Sequence, residues 1–191
     1  MEELGGSFKI MRNIKNNKRT LFLGPGFSEK DADRIIQELF ALNKTEGKIF
    51  LQISSAGGNL PAALKLYDNI LASPNPVWGI VLGDCFSGAT VVLQACTKKY
   101  ASPHSRLHIH HVYSPVTLTL RHFDSVRTVN KKIREEIALV KANDGRVIDI
   151  FVERTKKERS EVVQIMDKNL ILTPEQAAKI YLIDEIISFK P

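Results

Sequence analysis

The sequence predicts an α/β fold, with right-handed βαβ units wound around a mostly parallel sheet. Three observations carry that expectation. Within the first hundred residues, short apolar runs alternate with segments whose apolar residues recur at helical spacing. Glycine-containing turns close those runs at Gly24-Pro25-Gly26, at Ser54-Ser55-Ala56-Gly57-Gly58 and between Gly83 and Gly88. The chain's 191 residues, 43% of them hydrophobic, suffice for one domain with a substantial core.

In chain order, residues 1–19 are polar, glycine-containing and basic, and read as a flexible arm. The folded domain is expected over 20–191. Thr20-Leu21-Phe22-Leu23 is a short strand. Ser28-Glu29-Lys30-Asp31 has the form of a capping box, and it opens a helix whose face carries Ala32, Ile35, Ile36, Leu39 and Phe40. Lys48 to Ile53 is the second strand. A helix from about Asn59 to Ala72 follows, with Pro61 in its first turn, where amides lack partners anyway, and with Ala63, Leu66, Tyr67 and Ile70 inward. Val77 to Leu82 is a third, buried strand and Ala89 to Ala95 a buried helix. Arg106 to His111 reads as another strand, and Val116-Thr117-Leu118-Thr119-Leu120 alternates like an exposed ribbon. A charged helical region runs from about Asp124 to Arg154, with a break or bend expected at Asn143-Asp144-Gly145. Thr155-Lys156-Lys157-Glu158 and Thr173-Pro174-Glu175-Gln176 each look like a helix start, and Leu182 to Ile187 closes the chain as a strand.

Composition removes several classes. The net charge of +6 comes from basic residues that are scattered or interleaved with acids, as on a solvated helix face, so no nucleic-acid partner is expected. No apolar run approaches the ~18 residues that span a bilayer, and Met1 to Gly6 lacks a secretory pattern. Cys85 and Cys96 make neither a disulfide framework nor a zinc set, which suggests a cytoplasmic protein with reduced thiols. No dinucleotide fingerprint and no phosphate loop occurs at a strand end, and no cofactor is expected.

Chemistry concentrates at Gly83-Asp84-Cys85-Phe86-Ser87-Gly88-Ala89. A serine on a sharp strand-to-helix turn exposes its hydroxyl, while the first helical amides point where an anion would develop. The same stretch is also what a plain turn with a helix-capping serine looks like. Gly57-Gly58 sits at the end of the neighbouring strand, the edge where open α/β sheets place ligands. Of the clustered histidines, His108 and His110 share one strand face and His111 takes the other. Two histidines are too few for a metal, and no carboxylate is placed to complete a ligand set. A base for Ser87, or a satisfied core imidazole, are the remaining readings.

These stretches resemble the ClpP serine peptidases. The resemblance is carried by Thr20-Leu21-Phe22-Leu23-Gly24, Ile53-Ser54-Ser55-Ala56-Gly57-Gly58, Leu66-Tyr67-Asp68, Gly83-x-x-x-Ser87-Gly88-Ala89 and Pro103-His104-Ser105-Arg106-x-x-Ile109-His110. Leu172-Thr173-Pro174-Glu175-Gln176-Ala177-Ala178 through Ile183-Asp184-Glu185-Ile186 completes it, in family order from about 20 to 187. The resemblance implies a ClpP/crotonase-like superhelix with a protruding helix-strand handle at about 112–155. It implies a peptidase acting on peptide or unfolded protein, with Ser87 as nucleophile, His110 as base, and the Gly58 and Gly88 amides as the oxyanion hole. It also implies stacked homo-oligomeric rings of heptamer type, entered through an ATP-driven unfoldase.

Departures accompany it. Where the family has its triad aspartate this chain has Asn169, with Asp167 the alternative third member. Phe86, beside the serine, is expected to narrow the pocket. Ser54 and Ala56 replace an asparagine and a proline, the segment after His110 lacks the usual glycines, and the arm lacks the usual pore motif. Two other readings stay open: a weakly active or inactive structural subunit of a mixed ring, and a crotonase-type acyl-coenzyme A enzyme using Gly58 and Gly88 to hold an enolate.

Overall fold

A computed structural model describes residues 18–113 and 125–187. The arm up to residue 17 and the 116–120 ribbon lie outside the described residues. Strand β1 (Thr20–Leu23) leads to helix α1 (Glu29–Leu42), whose N-cap is the expected capping box, Ser28 with Asp31. Ala32, Ile35, Ile36 and Leu39 are buried as their spacing requires, whereas Phe40 is 57% exposed. It stands one residue past the buried stripe. Strand β2 (Ile49–Ser55) and helix α2 (Leu60–Leu71) follow, α2 being capped by the Asn59 side chain on the Ala62 amide.

Strand β3 (Val77–Phe86) is ten residues long, four longer than the apolar run alone suggests. It pairs in parallel with β2, from Ile49↔Val77 to Ile53↔Val81. On its other edge it changes partner midway. Trp78 to Val81 pair with β4 (Lys98–Ala101), and Asp84 to Phe86 pair with β5 (Arg106–His108). Strand β4 has no apolar alternation, which is why the periodicity misses it. Between the two partnerships Gly83 bends β3 at φ 109°, a conformation open chiefly to glycine. Ser102 N–H and Ser105 Oγ–H both donate to the Val81 carbonyl and bridge the change of partner.

Helix α3 (Gly88–Gln94) is buried throughout, between α2 and helix α4 (Val126–Thr155). The 30 residues of α4 would extend about 45 Å. Only Val147, Ile148, Phe151 and Thr155 of it are buried, so its C-terminal end anchors it. The expected break at Asn143-Asp144-Gly145 does not occur. The Asp144 carboxylate, which in isolation competes for its own backbone, is engaged by His111 and Val112 in the segment after β5 instead. Helix α5 (Arg159–Lys168) starts at Glu158, not at Thr155, which is the last residue of α4. Strand β6 (Ile171–Leu172) pairs antiparallel with β5. Helix α6 (Pro174–Lys179) has the expected Thr173–Gln176 box, and β7 (Glu185–Ile186) pairs with β4. The path β1-β2-β3-β4-β7 is parallel throughout, with β5 and β6 off it.

Candidate active site

The site forms where β2 and β3 end. Ser87 has φ 54° and ψ −128°, a conformation that a residue with a side chain adopts only under constraint. The constraint is visible on three sides. Ser87 N–H donates to the His108 carbonyl at 2.9 Å, extending the β3–β5 ladder past the turn. The Ser87 carbonyl accepts from both the amide and the hydroxyl of buried Thr90. Three residues back, the Asp84 carboxylate takes two bonds from the Arg106 guanidinium, 2.8 and 2.7 Å, between residues that are paired in the ladder. The serine does not cap the helix with its side chain. The capping reading of the stretch is therefore set aside, and the hydroxyl stands on a strained elbow.

Gly58 is placed by a single parallel bridge to Phe27. Phe27 N–H donates to the Gly57 carbonyl at 3.1 Å, and Asn59 N–H donates to the Phe27 carbonyl at 3.3 Å. In such a bridge the residue between the bonded pair turns its own amide away from the partner strand. A side chain at Gly58 would run into the Phe27 carbonyl oxygen, with the carbonyl carbon at 2.9 Å. Gly57, at φ 97°, lies against the elbow, where a Cβ would meet the Phe86 carbonyl oxygen at 2.7 Å. Neither the Gly58 nor the Gly88 amide donates to another described residue.

The β3–β5 register pairs Phe86 with His108, so His110 follows two residues beyond the end of the ladder that carries the elbow. Ser87, Gly58, Gly88 and His110 line one cavity of about 490 Å³, closed by Asn59, Leu60, Pro61, Val91, Tyr113 and Val147 among others. The Ser87 hydroxyl makes no hydrogen bond among the described residues. His110 is half-buried, and its Nδ1 lies 2.6 Å from the His111 carbonyl oxygen. A carbonyl only accepts, so Nδ1 carries the proton and Nε2 keeps its lone pair. Burial, with the neighbouring imidazoles His108 and His111, moves the His110 pKa below its ordinary value despite that bond. The surroundings thus favour the neutral ring.

The other predicted residues are distributed differently. Asn169, in left-handed conformation at the end of α5, has its Oδ1 2.8 Å from Nε2 of His108. Asp167 lies 3.1 Å from Nε2 of His111. Neither makes a hydrogen bond to His110, whose Nδ1 partner is a backbone carbonyl. Phe86 does not line the cavity. It packs edge-on against His108 and under the Arg106 guanidinium, so the expected narrowing does not arise. His108 and His110 do share a face, with rings 4.9 Å apart. Cys85, next to the elbow, is fully buried on the core side and its thiol is pushed well up by burial. Cys96 is pushed up to about 12 for the same reason, so neither competes as a nucleophile.

Three participants escape the sequence reading. Tyr113 stacks on His110 at 4.9 Å. Asn143 reaches the cavity from α4. Asp144 binds both His111 Nδ1 and the Val112 amide, each at 2.8 Å. The polar Asn143-Asp144 pair was a signal, but in sequence it is indistinguishable from a helix break. Among the described residues, no group of three or more histidine, cysteine, aspartate or glutamate side chains could hold a metal ion, and no helix is long and apolar enough to cross a membrane.

Comparison with known proteins identifies the family and the fold. The family model for Clp protease matches residues 5–190. The chain is 31% identical over 185 residues to the ATP-dependent Clp protease proteolytic subunit 1 of Chlamydia pneumoniae, covering 93% of this chain and 91% of that one. It is 29% identical over 174 residues to the chloroplastic ATP-dependent Clp protease proteolytic subunit 4 of Arabidopsis thaliana, covering 89% of this chain and 56% of that one. An asparagine-to-aspartate variant of ClpP1 from Listeria monocytogenes superposes with a TM-score of 0.77 over 89% of this chain and 91% of that one. At 19% identity that likeness speaks for the fold.

Proposed function

Since the chain belongs to the Clp protease family, a family of serine peptidases, we propose that it cleaves peptide bonds through an acyl-enzyme formed on Ser87. His110 Nε2 takes the hydroxyl proton as the oxygen attacks the carbonyl carbon of the scissile bond. The carbonyl oxygen becomes an oxyanion held by the Gly58 and Gly88 amides, donors fixed in place before the charge appears. His110 then returns the proton to the leaving amine. Water, deprotonated by the same imidazole, hydrolyses the ester and regenerates Ser87. The observation that carries this reading is the convergence on one cavity of a strained serine, a histidine held by its Nδ1 on a carbonyl, and two glycines.

The substrate class is peptide or unfolded protein. By analogy with relatives named as subunits of an ATP-dependent protease, the chain works in oligomeric rings of heptamer type, with an ATP-driven unfoldase and in the cytoplasm. One observation favours a second reading, a weakly active subunit of a mixed ring. His110 is held by a carbonyl rather than a carboxylate, so an imidazolium formed there lacks the charge partner that a triad aspartate gives.

The test is labelling of the assembled protein with a fluorophosphonate probe. Wild type is expected to label and Ser87→Ala not at all, while undiminished labelling in Ser87→Ala removes Ser87 from the role. Hydrolysis of short peptides only after a partner subunit is added supports the mixed-ring reading. Coenzyme A binding that ignores loss of Ser87 would place the chain with the acyl-coenzyme A enzymes.

A further inference from the structure

His111 lies between two carboxylates. Its Nδ1 is 2.8 Å from Asp144 Oδ2, on α4, and its Nε2 is 3.1 Å from Asp167 Oδ1, on α5. An ionised carboxylate only accepts, so satisfying both requires an N–H on each ring nitrogen, which only the imidazolium has. Asp144 uses its second oxygen on the Val112 amide at 2.8 Å. The backbone on both sides of the His111 carbonyl is thereby tied down, by the ring of His111 and by the next amide. That carbonyl is the group that holds His110 Nδ1–H at 2.6 Å.

We propose that Asp144 and Asp167, acting through a doubly protonated His111, position the base His110, and that this clamp stands where a triad carboxylate would otherwise orient the imidazole. The inference rests on the reading of His110 as general base. None of the three touches the reacting atoms through its side chain, so all are positioning residues. The charged and titratable groups facing His111 are Asp144 from α4, Asp167 from α5 and, on its own segment, His110, with His108 beyond it.

The clamp has a built-in pH range. A neutral imidazole has one N–H and can hold only one carboxylate, so deprotonation of His111 releases one of the two helices. Burial opposes charge on His111, but the hydrogen bonds and negative charge of Asp144 and Asp167 outweigh it and raise the pKa. Two adjacent histidines are thus driven apart, His110 toward neutrality and His111 toward the cation. Environments that split a pair in this way assign the base and the cation of a site. The rate should rise with pH as His110 loses its proton and fall at higher pH as His111 loses one of its two.

The experiment measures fluorophosphonate labelling rate against pH for the assembled full-length wild type, His111→Gln, Asp144→Asn and Asp167→Asn. Wild type is expected to give a bell. His111→Gln should lose the alkaline limb and label on the order of 10- to 100-fold more slowly at the optimum, as a base displaced by a fraction of its reach would. Asp167→Asn, at an exposed position, should keep the bell with its alkaline limb moved to lower pH. Asp144→Asn should do the same and also slow the optimum. An alkaline limb unchanged in His111→Gln overturns the proposal. So does an imidazole titration, followed by NMR in Ser87→Ala, in which His111 does not titrate above His110 or does not respond to Asp167→Asn. Failure of the catalytic reading looks different: labelling then survives in Ser87→Ala, while the titration still reports the state of His111.

Discussion

Replacing Gly58 by alanine separates the two halves of the oxyanion proposal. The added Cβ would overlap the Phe27 carbonyl oxygen and lie 2.9 Å from its carbon and 3.0 Å from the Phe27 nitrogen, all backbone atoms that cannot swing aside. The Phe27–Gly58 bridge must open, losing the bonds from Phe27 N–H to Gly57 and from Asn59 N–H to Phe27. At ~1 kcal/mol each, plus the strain of an overpacked contact, the cost is about 2–4 kcal/mol. For a chain of this size that is a fall of about 5–15 °C in Tm. The same movement takes the Gly58 amide away from the elbow, and removing one oxyanion donor costs about 10²–10³ in rate. Gly88→Ala is the control. Its Cβ would stand 3.2 Å from Ala63 Cβ and 3.4 Å from both the Gly58 carbonyl oxygen and Phe27 Cζ, tight contacts but none of them the overlap met at Gly58. In a helix, alanine also regains about 1 kcal/mol over glycine. Gly88→Ala should therefore hold its Tm within a few degrees and label within about tenfold of wild type. The assay is thermal unfolding with fluorophosphonate labelling, the latter well below the lowered midpoint. Equal labelling by Gly58→Ala and wild type, or a larger loss of stability in Gly88→Ala than in Gly58→Ala, would refute the reasoning.

Ser87→Gly should melt above Ser87→Ala, because glycine relieves a positive φ that alanine retains, a difference of about 1 kcal/mol read by differential scanning calorimetry; a lower midpoint for the glycine variant speaks against strain at the elbow. The pKa of His111 is raised by folding, so its stabilisation is fully present below the unfolded imidazole value and is lost as pH rises through the folded one. The Tm gap between wild type and His111→Gln should accordingly be widest in mild acid and shrink at higher pH, and a gap that grows with pH contradicts the clamp. Phe86→Ala should leave the preference for the residue before the cleaved bond unchanged, since Phe86 does not line the cavity; peptide-library cleavage profiling checks this, and a shift toward larger residues there would return Phe86 to the pocket wall.

The parts of the fold that were legible in the sequence are those decided by local patterns. The helix face at Ala32, Ile35, Ile36 and Leu39, the caps at Ser28 and Thr173, and the first strand all follow from spacing and hydrogen-bond chemistry within a few residues. Strand β4 was not legible, because Lys98-Lys99-Tyr100-Ala101 becomes a strand only by having β3 and β7 to pair with. Helix α4 failed in the opposite direction. Asn143-Asp144-Gly145 reads as a break until the tertiary structure supplies an imidazole and an amide for the Asp144 carboxylate, after which the helix has no competitor. That the serine, the histidine and the two glycines would meet in one place was legible because strand ends and elbows have a sequence form. The third partner was not.

The reason lies in how that partnership is distributed. A triad carboxylate hydrogen-bonded to its histidine leaves one residue type at one position, which a motif can hold. Here the orienting group is a carbonyl, present at every residue, and its orientation is set by carboxylates 33 and 56 residues away in the chain. Asn169, where the resemblance places the triad aspartate, gives its side chain to His108 instead of His110. A carbonyl holds the tautomer that makes Nε2 basic but adds no full negative charge to stabilise the imidazolium. The charge on His111, one residue away, weighs against that imidazolium as well. Orientation without charge compensation predicts an enzyme whose base is correctly aimed and weakly driven, so that its rate is governed by the protonation of the clamp as much as by the serine.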